Sequence, residues 1–457
     1  MERSGERLSA SDMSSLLAER GPIHVHVGGT AIFEGAPPAF DELLAQVDAR
    51  LALVPRFRRR LAKDPVGLAN PVWADDDGFD GRRHVRHTSL PRPGSEAQLR
   101  ELVGHVMSEP LDLARPLWQL HLVVGLEHGR FAAISKTHHA LVDGVSALDV
   151  GTLILDPDPA GTELPPPGEP ADSSSARAER LLAGALSERA GAPFRLARRA
   201  ARQARAPREA ATAALRTAEG FMSMAAGGPS APRTFLNVDV GRDRRVAFAV
   251  ATLAELRRAR GDSGATVNDV ILSVAAGALA RAFARRGEPV PDRLVALVPM
   301  SVRRPEEEGE LGNRIATLFV PLPVGVPDPG ERLRLIAADT ARLKASEQAR
   351  AASLVVEAAG WAPPTINRAL AGAMARPLTW NLVVSNVPGP QFPLYLMGRP
   401  LREIYPFVPL SPQSHALSVG VLSYYGHVFF GLVGDRDAMA DLDALAADVR
   451  AAVDELT

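Results

Sequence analysis

Residues 117–144 read LWQLHLVVGL, EHGR, FAAISKT and HHALVDG in succession. The first ten are rich in β-branched and aromatic residues and predict a strand, and residues 131–137 predict a second. Glu127-His128-Gly129-Arg130 between them has the composition of a hairpin turn. The closing stretch places two adjacent histidines, His138 and His139, at a strand end, with Asp143 and Gly144 at fixed spacing behind them. A helical pattern resumes over 144–155. Strand, polar turn and helix in that order point to a mixed α/β fold, with polar groups gathered where the strand stops.

Similar signals extend in both directions. Residues 24–34 (HVHVGGTAIFE) predict a strand, and 40–52 and 96–110 have helical spacing. Residues 156–175 are too dense in Pro, Gly and Ser for a packed element and read as a linker. The Ala- and Arg-rich stretch that follows, 176–225, is mostly helix-forming, broken at Pro193 and Pro207, and GGPSAP at 227–232 closes it. Strands are then predicted at 245–250, 294–300, 314–322, 379–386, 415–425 and 428–433, with Gly426-His427 as a tight turn. Helices are predicted at 267–285, capped near Thr266 or Asn268, and at 437–455. At 457 residues the chain exceeds the ~250–300 at which one core stops growing. The division is therefore a first α/β domain at 1–155, a linker with helices at 156–234, and a second α/β domain at 235–457.

Composition narrows the chemistry. With 52 basic and 53 acidic residues the net charge is −1, which offers nucleic acid no general attraction. The chain has no cysteine, so disulfides, thiolate catalysis and Cys-based zinc sites are excluded, and a cytoplasmic setting fits. The N-terminal stretch lacks a signal-peptide pattern, and no uninterrupted apolar run reaches the ~18 residues that span a bilayer. Histidine takes up and returns a proton near neutrality, which suits His138 or His139 to general acid–base work. Zinc at that pair is disfavoured, because neighbours on a strand face opposite ways; no metal is expected. His24 and His26 share a strand face and either line a cavity or are structural. The segment 193–208, arginine-rich and without an acid, suits an anionic lipid surface or a solvated helix equally.

His138-His139-x-x-x-Asp143-Gly144 resembles the HHxxxDG signature of the coenzyme A-dependent acyltransferase superfamily. Pro116-Leu117-Trp118, Asn268-Asp269-Val270, Ser385-Asn386-Val387-Pro388-Gly389-Pro390 and the opening LSASDMSSLLAERGPIHVHVGGTAIFEG narrow it. Together they are similar to the bacterial wax ester synthase/diacylglycerol acyltransferase family. That resemblance implies two chloramphenicol acetyltransferase-like domains joined by a crossover, with the active site in the channel between them. It implies His139 as general base, His138 in support, and Asp143 as a structural residue paired with an arginine, for which Arg58 and Arg303 are the candidates. Gly144 leaves room for substrate, Asn268 orients it or caps a helix, and Trp118, Ser385 and Asn386 shape its tunnel. Acyl-CoA would be a co-substrate rather than a cofactor, with diacylglycerol or a fatty alcohol as acceptor. The enzyme would act at the inner membrane face or a lipid-droplet surface. A small or carrier-bound acceptor, or a non-catalytic lipid-binding role, are the competing readings.

Overall fold

The computed structural model describes residues 6–8, 10–19, 21–62, 71–142, 150–161, 231–301, 315–345, 380–410 and 415–457. Along the first half run β1 (Glu6–Arg7), α1 (Ala10–Ala18), β2 (His26–Glu34), α2 (Phe40–Leu51), β3 (Arg59–Ala62), β4 (Val72–Asp75) and β5 (Val85–Ser89). Helix α3 (Glu96–Ser108) leads to the hairpin of β6 (Trp118–Leu126) and β7 (Arg130–His138), then to α4 (His139–Val142) and α5 (Val150–Leu153). The second half opens with β8 (Arg244–Thr252), α6 (Leu253–Arg260), α7 (Val267–Arg286), β9 (Leu294–Ser301), β10 (Ile315–Leu322) and α8 (Pro329–Ala345). It continues with β11 (Leu382–Pro388), β12 (Tyr395–Leu396), β13 (Arg399–Phe407), β14 (Leu417–Tyr424), β15 (His427–Asp435) and α9 (Leu442–Leu456).

These strands form two six-stranded sheets, ordered β12-β13-β2-β7-β6-β5 and β10-β9-β11-β14-β15-β8, and a small sheet β1-β4-β3. Local chemistry accounts for many of the boundaries. Helix α7 starts at a capping box in which the Thr266 side chain accepts the Asp269 N–H and Asp269 reaches back to the Thr266 N–H. It stops at Gly287, whose φ of 65° lies in the left-handed region that favours glycine. The β14–β15 connection is a two-residue turn with positive φ at Tyr425 and Gly426, which matches the twist of the paired strands. Among the described residues α7 is the helix long and apolar enough to cross a bilayer, and the fold uses it as core: Val270, Ile271, Leu272 and Val274 are buried.

Strand pairing does not follow the order of the chain. β12 and β13 lie beyond residue 390, yet β13 pairs antiparallel with β2, placing Tyr405 opposite Thr30 and Phe407 opposite Gly28. Aromatic rings fasten this strand to the second sheet: Tyr405 stacks on Phe248 of β8 at 4.0 Å and meets Phe429 of β15 edge-on at 5.4 Å. Strand β2 tolerates neighbours on both sides because it carries Gly28 and Gly29. A Cβ on Gly28 would stand 2.0 Å from the Ser135 carbonyl oxygen, and one on Gly29 would stand 2.9 Å from that of Tyr405. Asp156, assigned to the linker from sequence, is buried, ion-paired with Arg50, and bridged through its backbone to Tyr395.

Candidate active site

Strand β7, buried along nearly its whole length, lies between β2 and β6 in the first sheet. Its last residue, His138, stands opposite His26, and α4 begins at His139. Both histidines are fixed through their backbones, His138 N–H donating to Leu117 O and His139 N–H to Val25 O, each at 2.9 Å. The pair is thus held at a strand–helix junction by the strands on either side. Lys136, fully buried two residues earlier, donates to the carbonyls of Val106 and Glu109 and closes the C-terminal end of α3. Burial pushes its ammonium down to about 8, with the Glu109 and Glu19 carboxylates opposing the shift.

His138 is fully buried, and its Nδ1 accepts the Ala140 backbone N–H at 3.1 Å. The neutral ring therefore carries its proton on Nε2, which faces Glu19 Oε2 at 3.3 Å. The same carboxylate accepts from His24 Nδ1 at 3.0 Å and lies 3.8 Å from His26 Nε2. Burial alone would raise the Glu19 pKa. The close approach of His138 and the hydrogen bond from His24 outweigh it and hold the carboxyl well below its usual range. His26 moves the other way: burial, then the Lys136 and His138 charges, push its ring well below the ordinary histidine value. An ionised carboxylate with three imidazoles around it borders the candidate base. Glu19, His24 and His26 also bring ligand-type atoms within 4.8 Å of one another.

A second support reaches the motif from the Pro55–Arg58 turn. Arg56 donates to Ala140 O at 3.1 Å, lies over the Trp73 ring at 5.3 Å, and pairs with the buried Asp12 of α1. Trp73 donates to the same Asp12 carboxylate at 3.2 Å. Arg58 instead covers the Phe79 ring at 5.2 Å. Asp143, Gly144 and Arg303, and the segment 193–208, lie outside the described residues. Trp118 is fully buried, donates to Phe57 O at 2.7 Å and stacks on His84 at 4.7 Å, so it holds the Arg56-bearing turn against β6.

The other site residues expected from sequence meet at β11, an interior strand of the second sheet, and the start of α7. Asn386 of β11 donates to Asn268 Oδ1 at 3.4 Å, next to Ser385. The buried Nδ2 of Asn268 has no hydrogen-bond partner among the described residues, so one amide N–H is left for an incoming oxygen. Asp269 is structural: it completes the cap and accepts from Thr340 at 2.7 Å. The Pro-Gly-Pro turn is tied to the β14–β15 hairpin through Gly389 N–H to Ser423 Oγ and Tyr425 N–H to Pro390 O. Sequence reasoning missed Glu19, Asp12 and Arg56. Each acts on the motif through tertiary contact, and the signal open to it was an acid close before the His24–His26 pair.

Two family models match the chain. Residues 8–271 match the wax ester synthase/diacylglycerol acyltransferase catalytic domain, and 311–457 the WS/DGAT C-terminal domain. A Mycobacterium tuberculosis protein named as a diacylglycerol O-acyltransferase, tgs2, is 36% identical, over 98% of this chain and 97% of its own. The solved wax ester synthase/diacylglycerol acyltransferase of Marinobacter aquaeolei VT8 is 27% identical with a TM-score of 0.66, covering 98% of each chain. The first condensation domain of the CDA synthetase, 16% identical with a TM-score of 0.56 over 100% of this chain and 97% of that one, shares the fold. These neighbours identify the paired sheets as the two-domain, chloramphenicol acetyltransferase-like architecture.

Proposed function

Since the chain belongs to the wax ester synthase/diacylglycerol acyltransferase family, and is thereby an acyl-CoA-dependent acyltransferase, we propose that it esterifies diacylglycerol with a long-chain acyl group, using His139 as general base. A long-chain fatty alcohol is the second acceptor. The observation that supports this reading most is the placement of His139 at the β7–α4 junction, its backbone fixed by Val25 and its neighbour His138 turned toward an ionised Glu19. His139 takes the hydroxyl proton of the acceptor as the oxygen forms its bond to the thioester carbonyl carbon. The tetrahedral intermediate then collapses, the C–S bond breaks, and the leaving sulfur takes the proton back from His139. Products are the ester and free coenzyme A, with no acyl-enzyme and no added cofactor.

His138 supports the base as the neighbour that faces Glu19, and Asp143 and Gly144 take the supporting roles that the family motif implies. The unpartnered amide of Asn268, oriented by Asn386, suits the developing oxyanion or the acceptor hydroxyl. Ser385 lies beside Asn386 on β11, and Trp118 serves as architecture behind the histidine pair. Both substrates are lipids or carry a lipid tail, so the enzyme works in the cytoplasm against a membrane face or lipid droplet.

The test offers the purified chain labelled palmitoyl-CoA with dioleoylglycerol, hexadecanol or a short-chain amine. Coenzyme A release with a lipid acceptor is expected, and His139→Ala lowers kcat by about 10²–10⁴-fold with its circular dichroism unchanged. Release with neither lipid defeats the acceptor assignment; full activity in His139→Ala defeats the mechanism. Transfer to the amine alone selects the small-acceptor reading.

A further inference from the structure

The loop between α1 and β2, with the first residue of β2, builds something beyond what the transfer reaction requires. We infer that Glu19, His24 and His26 form a site for a divalent transition-metal ion of zinc's class, set beside the catalytic motif. Their oxygen and nitrogen atoms lie within 4.8 Å of one another. Glu19 Oε1 stands 3.0 Å from His24 Nδ1 and 3.8 Å from His26 Nε2. These separations bracket the ~3.3 Å between ligand atoms of a tetrahedral ion bound at about 2.0–2.1 Å. The two rings are near-parallel, 5.2 Å apart and inclined by 11°, so they sit side by side over Glu19 Oε1.

The independent observation is His26. It is 1% exposed, and neither ring nitrogen has a hydrogen-bond partner. A buried imidazole with neither nitrogen satisfied is destabilising and calls for a ligand. Burial and the Lys136 charge also keep the ring neutral, which is the form that binds metal. Two imidazoles and one carboxylate make the donor set of an open zinc site, with a fourth position left for water. His138 is not that fourth ligand, because its Nδ1 is committed to Ala140 and its Nε2 carries the proton. It stays on Glu19 Oε2 while the metal takes Oε1, which links occupancy of the site to the catalytic pair. The zinc excluded from sequence was a His138–His139 site; this trio is assembled by tertiary folding.

The site stands on geometry and does not depend on which alcohol is acylated, so either reading fails without the other. The test titrates Zn²⁺ into the full-length protein against a competing chelating indicator, with metal content read by mass spectrometry. A chain without cysteine gives a low background. One ion per chain is expected, with a rise in melting temperature on loading. X-ray absorption of the loaded protein should show nitrogen and oxygen ligands that include two imidazoles. Glu19→Gln, His24→Ala and His26→Ala should each weaken binding on the order of a hundredfold, beyond the effect of losing an outer partner. His427→Ala, exposed on β15, should leave it unchanged. No tight zinc in the wild type, or equal affinity in all ligand variants, overturns the proposal. If His26→Ala fails to fold, the partly exposed His24 decides the question.

Discussion

The two six-stranded sheets are alike in build and differ in where they place their buried polar groups. In the first, β2 and β7 carry His26, Thr30, Ser135, Lys136, Thr137 and His138 into the interior. In the second, α7 fills the space against the sheet with Val270, Ile271, Leu272, Val274 and Leu279, and buried polar groups such as Asp269, Asn381 and Asp435 sit at caps and loop joints. Asn381 is an example, bonded to Val295, Pro232 and Asn237. One scaffold has been used twice, once to hold titratable groups out of water beside a strand end, and once to hold a shape. Polar interiors are expensive unless every group is answered, so the first sheet should depend on a few irreplaceable partners and the second on volume.

Asp12→Ala tests that contrast most severely. It leaves the Arg56 guanidinium uncompensated next to Trp73 and should destabilise the fold by about 3–5 kcal/mol in urea unfolding, with activity falling as Ala140 loses its anchor. If the loss is below 1 kcal/mol, the first sheet does not rest on its polar partners. In the second sheet Leu279→Ala should cost about 2–4 kcal/mol through the cavity it leaves, with activity per folded molecule retained. A loss of activity without a loss of stability would end the division between chemistry and shape.

The third prediction concerns pH. Burial lowers His415, stacked on Trp380 at 4.7 Å, to about 4, against 6.5 when free. Between those values the unfolded chain binds a proton that the folded one refuses, so stability falls as pH drops through that window by about 1.4 kcal/mol per unit. His121 in the first sheet is lowered to about 4 by burial and the Lys136 and Arg86 charges, and adds a similar slope. His415→Gln should remove its own share of the acid sensitivity in melts from pH 7 to pH 4 and leave that of His121; an unaltered slope would show that His415 titrates normally. The smallest effect is expected for Arg402→Ala. Its pair with Glu34 is more than half exposed, so the cost should stay within about 1 kcal/mol and fade with salt.

Much of this arrangement was legible in the sequence, and the limits have physical causes. Hairpins β6–β7 and β14–β15 and helix α7 announce themselves because periodicity, turn residues and caps act over a few positions. Strands β3 and β4, four residues each, are too short to show a period. β13 was missed because RPLREIYPF mixes prolines and charges, and its partner β2 lies hundreds of residues away; no local signal encodes that pairing. The site divides likewise. The histidine pair and the Asn268 and Asn386 motifs stand out by spacing, and the structure brings the two asparagines together. Glu19, Asp12 and Arg56 are ordinary surface-type residues in sequence, and only folding places them on the motif.

Strand β13 also bears on any attempt to divide this protein. A gene cut near residue 235 would separate β2 from the strand that covers it, and the first fragment would present an unpaired row of backbone donors and acceptors from Gly28 to Phe33. Such a fragment should aggregate when made alone. Produced together with residues 235–457, it should recover solubility by recapturing β13, so the two pieces would behave as a complementing pair rather than as independent modules.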